Sequence, residues 1–201
     1  TLISTNLDLK TKKSNLNNWT KVISKVNLSS KSVKIAIVGK YVELQDSYLS
    51  VKESLIHAGM FNQTEIQIEW INSEEIKSTN VETMFEGING IIVPGGFDKR
   101  GTQGMIEACK YARENNIPYF GLCLGMQIMV IEAARNLLGY PESNSTEFDE
   151  STPYPVIDLM PEQLKSLHKG GSMRLGLYDC NILDGTKTKE IYKSNLISER
   201  H

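Results

Sequence analysis

From residue 33 onward, short apolar runs alternate with stretches in which apolar residues recur every three or four positions. The run VKIAIVG (33–39) is apolar and β-branched, the pattern of a strand buried on both faces. Residues 47–59 (SYLSVKESLIHAG) then place Tyr48, Val51, Leu55 and Ala58 on one helical stripe, with Gly59 as a stop signal. EIQIEWI (65–71) predicts a second strand, and GIIVPGG (90–96) a third that ends abruptly in Pro-Gly-Gly. A helix is expected over 102–115, a fourth strand over 118–122 and a helix in 124–139, with Gly139 beyond its end. Strands and helices alternating at this spacing imply right-handed crossovers. The expected fold is therefore α/β: a three-layer, flavodoxin-like, mostly parallel sheet with helices on both faces and a nucleophile elbow after a central strand.

Outside this rhythm the pattern changes. Residues 1–31 are polar and rich in Asn, Lys and Ser, but Leu16, Trp19, Ile23 and Val26 recur at helical spacing. They predict a short amphipathic helix behind a flexible leader. Two readings are open: the helix packs on the domain core, or it ends a linker from a domain upstream. Residues 140–155 are turn-rich, and VIDLM (156–160) predicts a short strand. A loop over 161–171, a strand over 172–183 and a short helix over KTKEIY (187–192) follow.

Composition narrows the class. With 201 residues, 40% hydrophobic and 23% charged, the chain is of globular type, with enough length for a real core. The 22 basic and 24 acidic residues give a net charge of −2, so nucleic-acid binding has no electrostatic support. No apolar run is long enough to span a bilayer and no signal-peptide core is seen, so neither membrane nor secretion is expected. Three cysteines, Cys109, Cys123 and Cys180, cannot all pair with one another, which suits a reducing cytoplasm. No Cys/His spacing suggests a metal site.

The candidate chemistry lies in YFGLCLGMQIM (119–129). Gly121-Leu-Cys123-Leu-Gly125 has the Gly-x-nucleophile-x-Gly form of a strand-to-helix elbow, with cysteine in the nucleophile position. Such a turn forces the central residue into a crowded conformation, and side chains two residues away would collide with it. The sulfur would stand at the carboxyl edge of the sheet, facing the N-terminus of the next helix, whose dipole favours thiolate over thiol. The plain alternative is a buried filler thiol. That alternative suits Cys109, which shares a stripe with Met105 and Ala112, and Cys180 carries no signature. Attack on a carbonyl also needs backbone donors for the oxyanion. Leu124 supplies one directly after the cysteine. A second can come from VPGGFDKRG (93–101), where Gly95 and Gly96 let the backbone approach the sulfur.

With these pieces together, the chain resembles the class I glutamine amidotransferases and, more narrowly, the glutaminase domains of the CTP synthase family. The likeness runs from about Leu16 onward. VGKYVELQDSYLSVKESLIHAG, VPGGFDKRG, NNIPYFGLCLGMQ, NSTEF and GGSMRLG occur in the family's order. The elbow alone points to the superfamily; NSTEF and GGSMRLG narrow it.

The resemblance implies an inter-domain linker and helix over 1–31 and an amidotransferase domain over 32–201, incomplete at its C-terminal end. It implies that Cys123 forms a γ-glutamyl thioester and releases ammonia from L-glutamine. Gly96 and Leu124 would supply oxyanion donors. Gly125, Met126, Gln127 and Glu147 would complete the substrate site, with Glu147 pairing with the substrate ammonium. Phe97 and Arg174 would be regulatory, Arg174 in a segment coupled to activation by GTP. Taken without the family, Glu147 reads as a solvated loop acid, Gln127 as a polar helix position, Phe97 as ordinary packing and Arg174 as a strand-edge salt bridge.

The resemblance further implies that an upstream synthetase domain of the same polypeptide uses the ammonia to convert UTP to CTP with ATP and Mg²⁺. The glutaminase domain itself needs no cofactor. The full-length enzyme would be cytoplasmic, homo-oligomeric and part of pyrimidine biosynthesis.

Two departures stand out. Asp98 occupies a position where the family has glycine, which would alter the loop's turn or oppose developing negative charge. The family's general base belongs to a His-Pro-Glu segment that this sequence lacks; the histidines present are His57, His168 and His201. His57 is expected to face solvent and none of the three is assigned as the base. The expectation is a nucleophile-and-oxyanion fragment with little turnover of its own. Two other functions compete: a different elbow-cysteine hydrolase of γ-glutamyl or peptide bonds, and a non-catalytic flavodoxin-like binding module. Against the module, the chain has no G-x-G-x-x-G after its first strand and no phosphate loop.

Overall fold

A computed structural model describes residues 2–10, 15–25, 31–159 and 176–200. Two compact units divide at Ile157 and Asp158. The first opens with helices α1 (Leu2–Asn6) and α2 (Asn17–Lys25). The predicted N-terminal helix is thus present, and its apolar residues Leu16, Trp19 and Ile23 are 59–65% exposed.

The core of this unit is a four-stranded parallel sheet of β1 (Lys31–Gly39), β2 (Thr64–Asn72), β3 (Gly90–Val93) and β4 (Tyr119–Gly121). Its order, β2-β1-β3-β4, is that of the flavodoxin-like doubly wound fold. Successive residues of β1 enter two different cores. Ala36 and Val38 pack with Ile91, Val93, Met105, Cys109, Leu124 and Ile128, under helices α5 (Thr102–Glu114) and α6 (Leu124–Asn136). Ile37 packs with Tyr48, Val51, Leu55 and Trp70, under α3 (Leu49–Asn62). This alternation is the period-2 geometry of a strand covered on both faces, and it yields the three layers. Cys109, Met105 and Ala112 are buried together, as their spacing predicts. The elbow, expected after a central strand, follows β4, which borders the sheet among the described residues.

Several boundaries differ from expectation. The first helix begins as a 3₁₀ turn, Gln45–Tyr48, before α3. Gly59 does not stop α3, which runs on to Asn62 and closes at Gln63 with φ +52°. Gly59 instead permits close approach: a Cβ there would lie 2.6 Å from the Thr64 carbonyl oxygen. Ala58, assigned to the apolar stripe, is exposed, because the helix turns that residue away from the sheet. A short helix α4 (Val81–Met84), unforeseen, precedes β3.

Helix α6 ends at Asn136, short of the expected end just before Gly139; Leu137 and Leu138 are exposed and Gly139 has φ +77°. Within the turn-rich stretch, β5 (Ser143–Ser145) pairs in parallel with β6 (Tyr154–Ile157). Arg135 ties this pair to α6 by donating from Nε to the Ser143 carbonyl at 2.7 Å.

The second unit contains an antiparallel pair, β7 (Leu177–Asn181) and β8 (Leu196–Arg200), with α7 (Lys187–Tyr192) between them in sequence. Thr186 caps α7, its Oγ1 accepting the Lys189 amide at 3.2 Å. The strand expected over 172–183 is β7 where described; residues 172–175 and the 161–171 loop lie outside the described residues. β8 was not foreseen, since LISER shows little alternation. Among the described residues no helix is long and apolar enough to cross a membrane.

Candidate active site

The β3–β4 pairing places two chain ends side by side. Val93 is in register with Gly121, and the Leu122 amide donates to the Val93 carbonyl at 2.9 Å. The Pro94–Asp98 loop and the Cys123 turn therefore leave neighbouring strands at the same sheet edge. A Cβ on Gly95 would stand 3.6 Å from Cys123 Cβ, an ordinary contact. Gly95 thus marks the closeness of the loop without being sterically compelled.

Cys123 has φ +53° and ψ −102°, a sparsely populated conformation for a residue with a side chain. It is the N-cap of α6 and is exposed. The two flanking glycines are required, though not for the reason anticipated. A Cβ on Gly121 would lie 2.3 Å from the Gly125 carbonyl carbon, and one on Gly125 would lie 2.0 Å from the Val93 carbonyl oxygen. The crowding is backbone on backbone between β4, α6 and β3, not against Cys123. Tyr119 adds a bond across the elbow, its hydroxyl donating to the Gly125 carbonyl at 2.8 Å. Burial raises the Tyr119 hydroxyl well above its usual range, so it remains a neutral donor.

Three of the first amides of α6 are engaged: Gly125 donates to Leu122, and Met126 and Gln127 donate to Cys123. The Leu124 amide finds no such carbonyl among the described residues, which fits the donors left over at a helix start. Gly96 approaches the same helix, since its Cβ would be 3.2 Å from Leu124 Cδ2. Met126 is exposed and Gln127 half-buried on the first turn.

Glu147, 49 residues from the loop, reaches it directly: its Oε1 accepts the Asp98 amide at 2.8 Å. Asp98 has φ +62°, so the position favours glycine, as the departure from the family implied. Its carboxylate accepts the Arg100 amide at 2.7 Å and lies 3.5 Å from Lys40 Nζ. The Arg100 amide above all, opposed by desolvation and helped less by the Lys40 charge, holds its carboxyl below the usual range. The feared negative charge is therefore already partnered. Phe97 projects its ring to solvent, 73% exposed.

Lys40 was missed by sequence reasoning. Its Nζ donates to the carbonyls of Phe97 and Asp98, each at 2.6 Å. The one signal was its place directly after a run of buried strand positions. Cys109 is a different thiol from Cys123: burial first, then the nearby Glu132 charge, pushes it up to about 12. His57 is exposed on α3. Arg174, His168 and His201 lie outside the described residues. Among the described residues no group of three or more His, Cys, Asp and Glu side chains is placed to hold a metal ion.

Comparison with known proteins agrees with this geometry. Residues 43–195 match the family described as glutamine amidotransferase class-I. The chain is 51% identical to a CTP synthase of Caldanaerobacter subterraneus subsp. tengcongensis, over 97% of this chain and 36% of the relative. It is 52% identical to a CTP synthase of Dehalococcoides mccartyi, over 100% of this chain and 37% of the relative. It thus spans little more than a third of the length of these relatives. Among solved structures it is similar to the glutaminase domain of Trypanosoma brucei CTPS with bound acivicin. That match has 39% identity and a TM-score of 0.74, covering 84% of this chain and 66% of the other. An elbow cysteine opening α6 beside a glycine loop, on a sheet of this order and with a family match over residues 43–195, makes the chain a member of the class I glutamine amidotransferases.

Proposed function

We propose that Cys123 is the nucleophile of a glutaminase site that supplies ammonia for conversion of UTP to CTP. The observation that carries this is the backbone of Cys123, which holds an exposed sulfur at the start of α6 beside the Pro94–Asp98 loop. In the proposed reaction the thiolate attacks the side-chain amide carbon of L-glutamine. The amides of Gly96 and Leu124 hold the resulting oxyanion. Collapse expels ammonia, protonated by a general acid, and leaves a γ-glutamyl thioester. Water then releases glutamate and restores the thiol. Gln127 and Glu147 grip the amino-acid end, and Gly125 and Met126 form the adjoining wall. Glu147 would exchange or share its bond to the Asp98 amide when a substrate ammonium arrives.

By analogy with these relatives we infer the role of a larger protein in which such a domain would act. Ammonia would pass to a synthetase domain of the same polypeptide, which uses ATP and Mg²⁺. GTP would act as activator through the segment of Arg174, with Phe97 bordering the pocket, in a cytoplasmic homo-oligomer serving pyrimidine biosynthesis. The 201-residue chain is expected to turn over slowly. None of the described residues hydrogen-bonds the Cys123 sulfur, and the one described histidine faces solvent on α3.

The test is covalent trapping. Acivicin, a glutamine-analogue electrophile, should label Cys123 in preference to Cys109 and Cys180, and Cys123→Ala should abolish that label. Equal labelling of all three cysteines would defeat the proposal, and rapid steady ammonia release by the chain would defeat the slow-turnover part. Activity on γ-glutamyl peptides alone would favour a different hydrolase. Tight nucleotide binding indifferent to Cys123→Ala would favour a binding module.

A further inference from the structure

Lys40 carries an ammonium where solvation is nearly absent: its side chain is 1% exposed. A buried charge is tolerated only when it is paired and hydrogen-bonded. Its Nζ has three N–H donors, and three acceptors surround it: the Phe97 and Asp98 carbonyls at 2.6 Å each and Asp98 Oδ1 at 3.5 Å. Every acceptor belongs to the loop that carries the Gly96 amide. The lysine stem passes beneath Gly96 itself, where a Cβ would lie 3.7 Å from Lys40 Cε and 3.8 Å from Cδ.

The base of this strut is also held. The Lys40 and Tyr41 amides both donate to the buried Tyr48 hydroxyl, at 3.1 and 3.2 Å. The far side of the loop is held by Glu147. In a trans peptide the carbonyl and the following N–H point in opposite directions. The Phe97–Asp98 peptide presents its carbonyl to Lys40 and its N–H to Glu147, so one rigid plane is gripped at both ends. Such restraint is what a side-chain-bearing residue at φ +62° needs, because that conformation persists only where its surroundings over-determine it.

We infer that Lys40 is a positioning residue that holds the Pro94–Asp98 loop so that the Gly96 amide faces the carbon attacked by Cys123. The inference rests on Cys123 being the nucleophile. Lys40 does not touch substrate: it is covered and its donors are spent on the loop. Desolvation lowers its affinity for a proton, and the Asp98 carboxylate opposes that effect. Lys40 acts on the reaction through the geometry of the oxyanion donors.

The experiment compares two reagents on the 201-residue chain. Acivicin at saturating and sub-saturating concentration gives a maximal labelling rate and a half-saturation concentration for Cys123. Iodoacetamide, which needs neither the substrate pocket nor the oxyanion donors, reports the thiol itself. Lys40→Met should lower the maximal acivicin rate by about 10- to 100-fold, as a misplaced donor does. The iodoacetamide rate at Cys123 should stay within about threefold. Tyr48→Phe, which frees the strut's base and keeps the lysine, should lower the acivicin rate in the same direction by about 3- to 10-fold. It carries the test if Lys40→Met does not fold. Lys40→Arg, which keeps the charge, should recover part of the rate. An unaltered maximal acivicin rate in a folded Lys40→Met or Tyr48→Phe chain would overturn the inference alone. So would an equal fall with both reagents. Failure of the unsubstituted chain to react with acivicin at Cys123 would overturn the nucleophile reading and this inference with it.

Discussion

Gly125 is where α6 crosses the end of β3, and a methyl group added there would intrude on that strand. The new Cβ would lie 2.0 Å from the Val93 carbonyl oxygen, 2.9 Å from its carbonyl carbon and 3.0 Å from its Cβ. Folded proteins essentially never bring a Cβ closer than 3.0 Å to another heavy atom, so α6 and β3 must part by about 1 Å. No flexible side chain can yield, since the two nearest obstructing atoms are backbone, the third is the Cβ fixed to that backbone, and Val93 and Leu124 are buried. Overpacking of this kind costs about 1–3 kcal/mol. With a urea dependence of about 2 kcal/mol per molar, the unfolding midpoint of Gly125→Ala should fall by about 0.5–1.5 M.

The functional loss should be larger than the stability loss suggests. Moving α6 carries Cys123 and the Leu124 amide away from the loop, and a misplacement of about 1 Å typically costs about 100-fold in rate. Acivicin labelling of Cys123 followed by intact mass, with unfolding followed by tryptophan fluorescence, reads both effects. Gly139→Ala is the control. Its methyl meets nothing within 4 Å, and its φ of +77° adds about 1 kcal/mol of strain far from the elbow, so labelling should not change. Gly125→Ala labelled within about twofold of the unsubstituted chain, with an unmoved midpoint, would show that the α6–β3 crossing accommodates the methyl group.

Other outcomes follow from the same contacts. Glu132 is 2% exposed and bonded to Arg113 at 2.8–3.2 Å. Arg113→Met leaves that carboxylate with Asn136 Nδ2, at 3.1 Å, as its remaining side-chain donor, and should cost about 1–3 kcal/mol in a urea titration; a loss under about 0.5 kcal/mol would show that the pair is dispensable. Cys109, held at about 12, should resist iodoacetamide at pH 8, where only about one molecule in 10⁴ carries its thiolate, until the chain is unfolded. Because folding raises that thiol, stability is expected to be intact below the unfolded value of 9.0 and to fall as pH rises toward 12. Asp98 has the opposite sign. Its depressed carboxyl contributes above pH 3.8 and loses its contribution as pH falls below that value. The stability gap between the chain and Asp98→Asn should close on acidification; its exposed side chain limits the gap to about 0–1 kcal/mol.

The features legible along the chain are those that short-range chemistry dictates. Apolar runs and helical stripes marked β1, β2, β3, α5 and α6, because burial on one or two faces imposes its own period on the chain. The glycine pair around Cys123 marked a turn that only small residues permit, and the cysteine between them was legible for the same reason. Where the local signal is weak, it failed: Gly59 looked like a stop and is a contact, and β8 was not seen at all.

Which distant residues meet depends on the folding of the sheet. Strand order puts the ends of β1, β3 and β4 at one sheet edge. Lys40 thereby reaches a loop 57 residues away, and Glu147 grips the same loop across 49. No periodicity encodes such meetings, because a hydrogen bond depends on separation in space and the chain pattern records only separation along the backbone. The elbow glycines show both halves at once: their spacing was readable, but the carbonyl that forbids a methyl at Gly125 belongs to another strand.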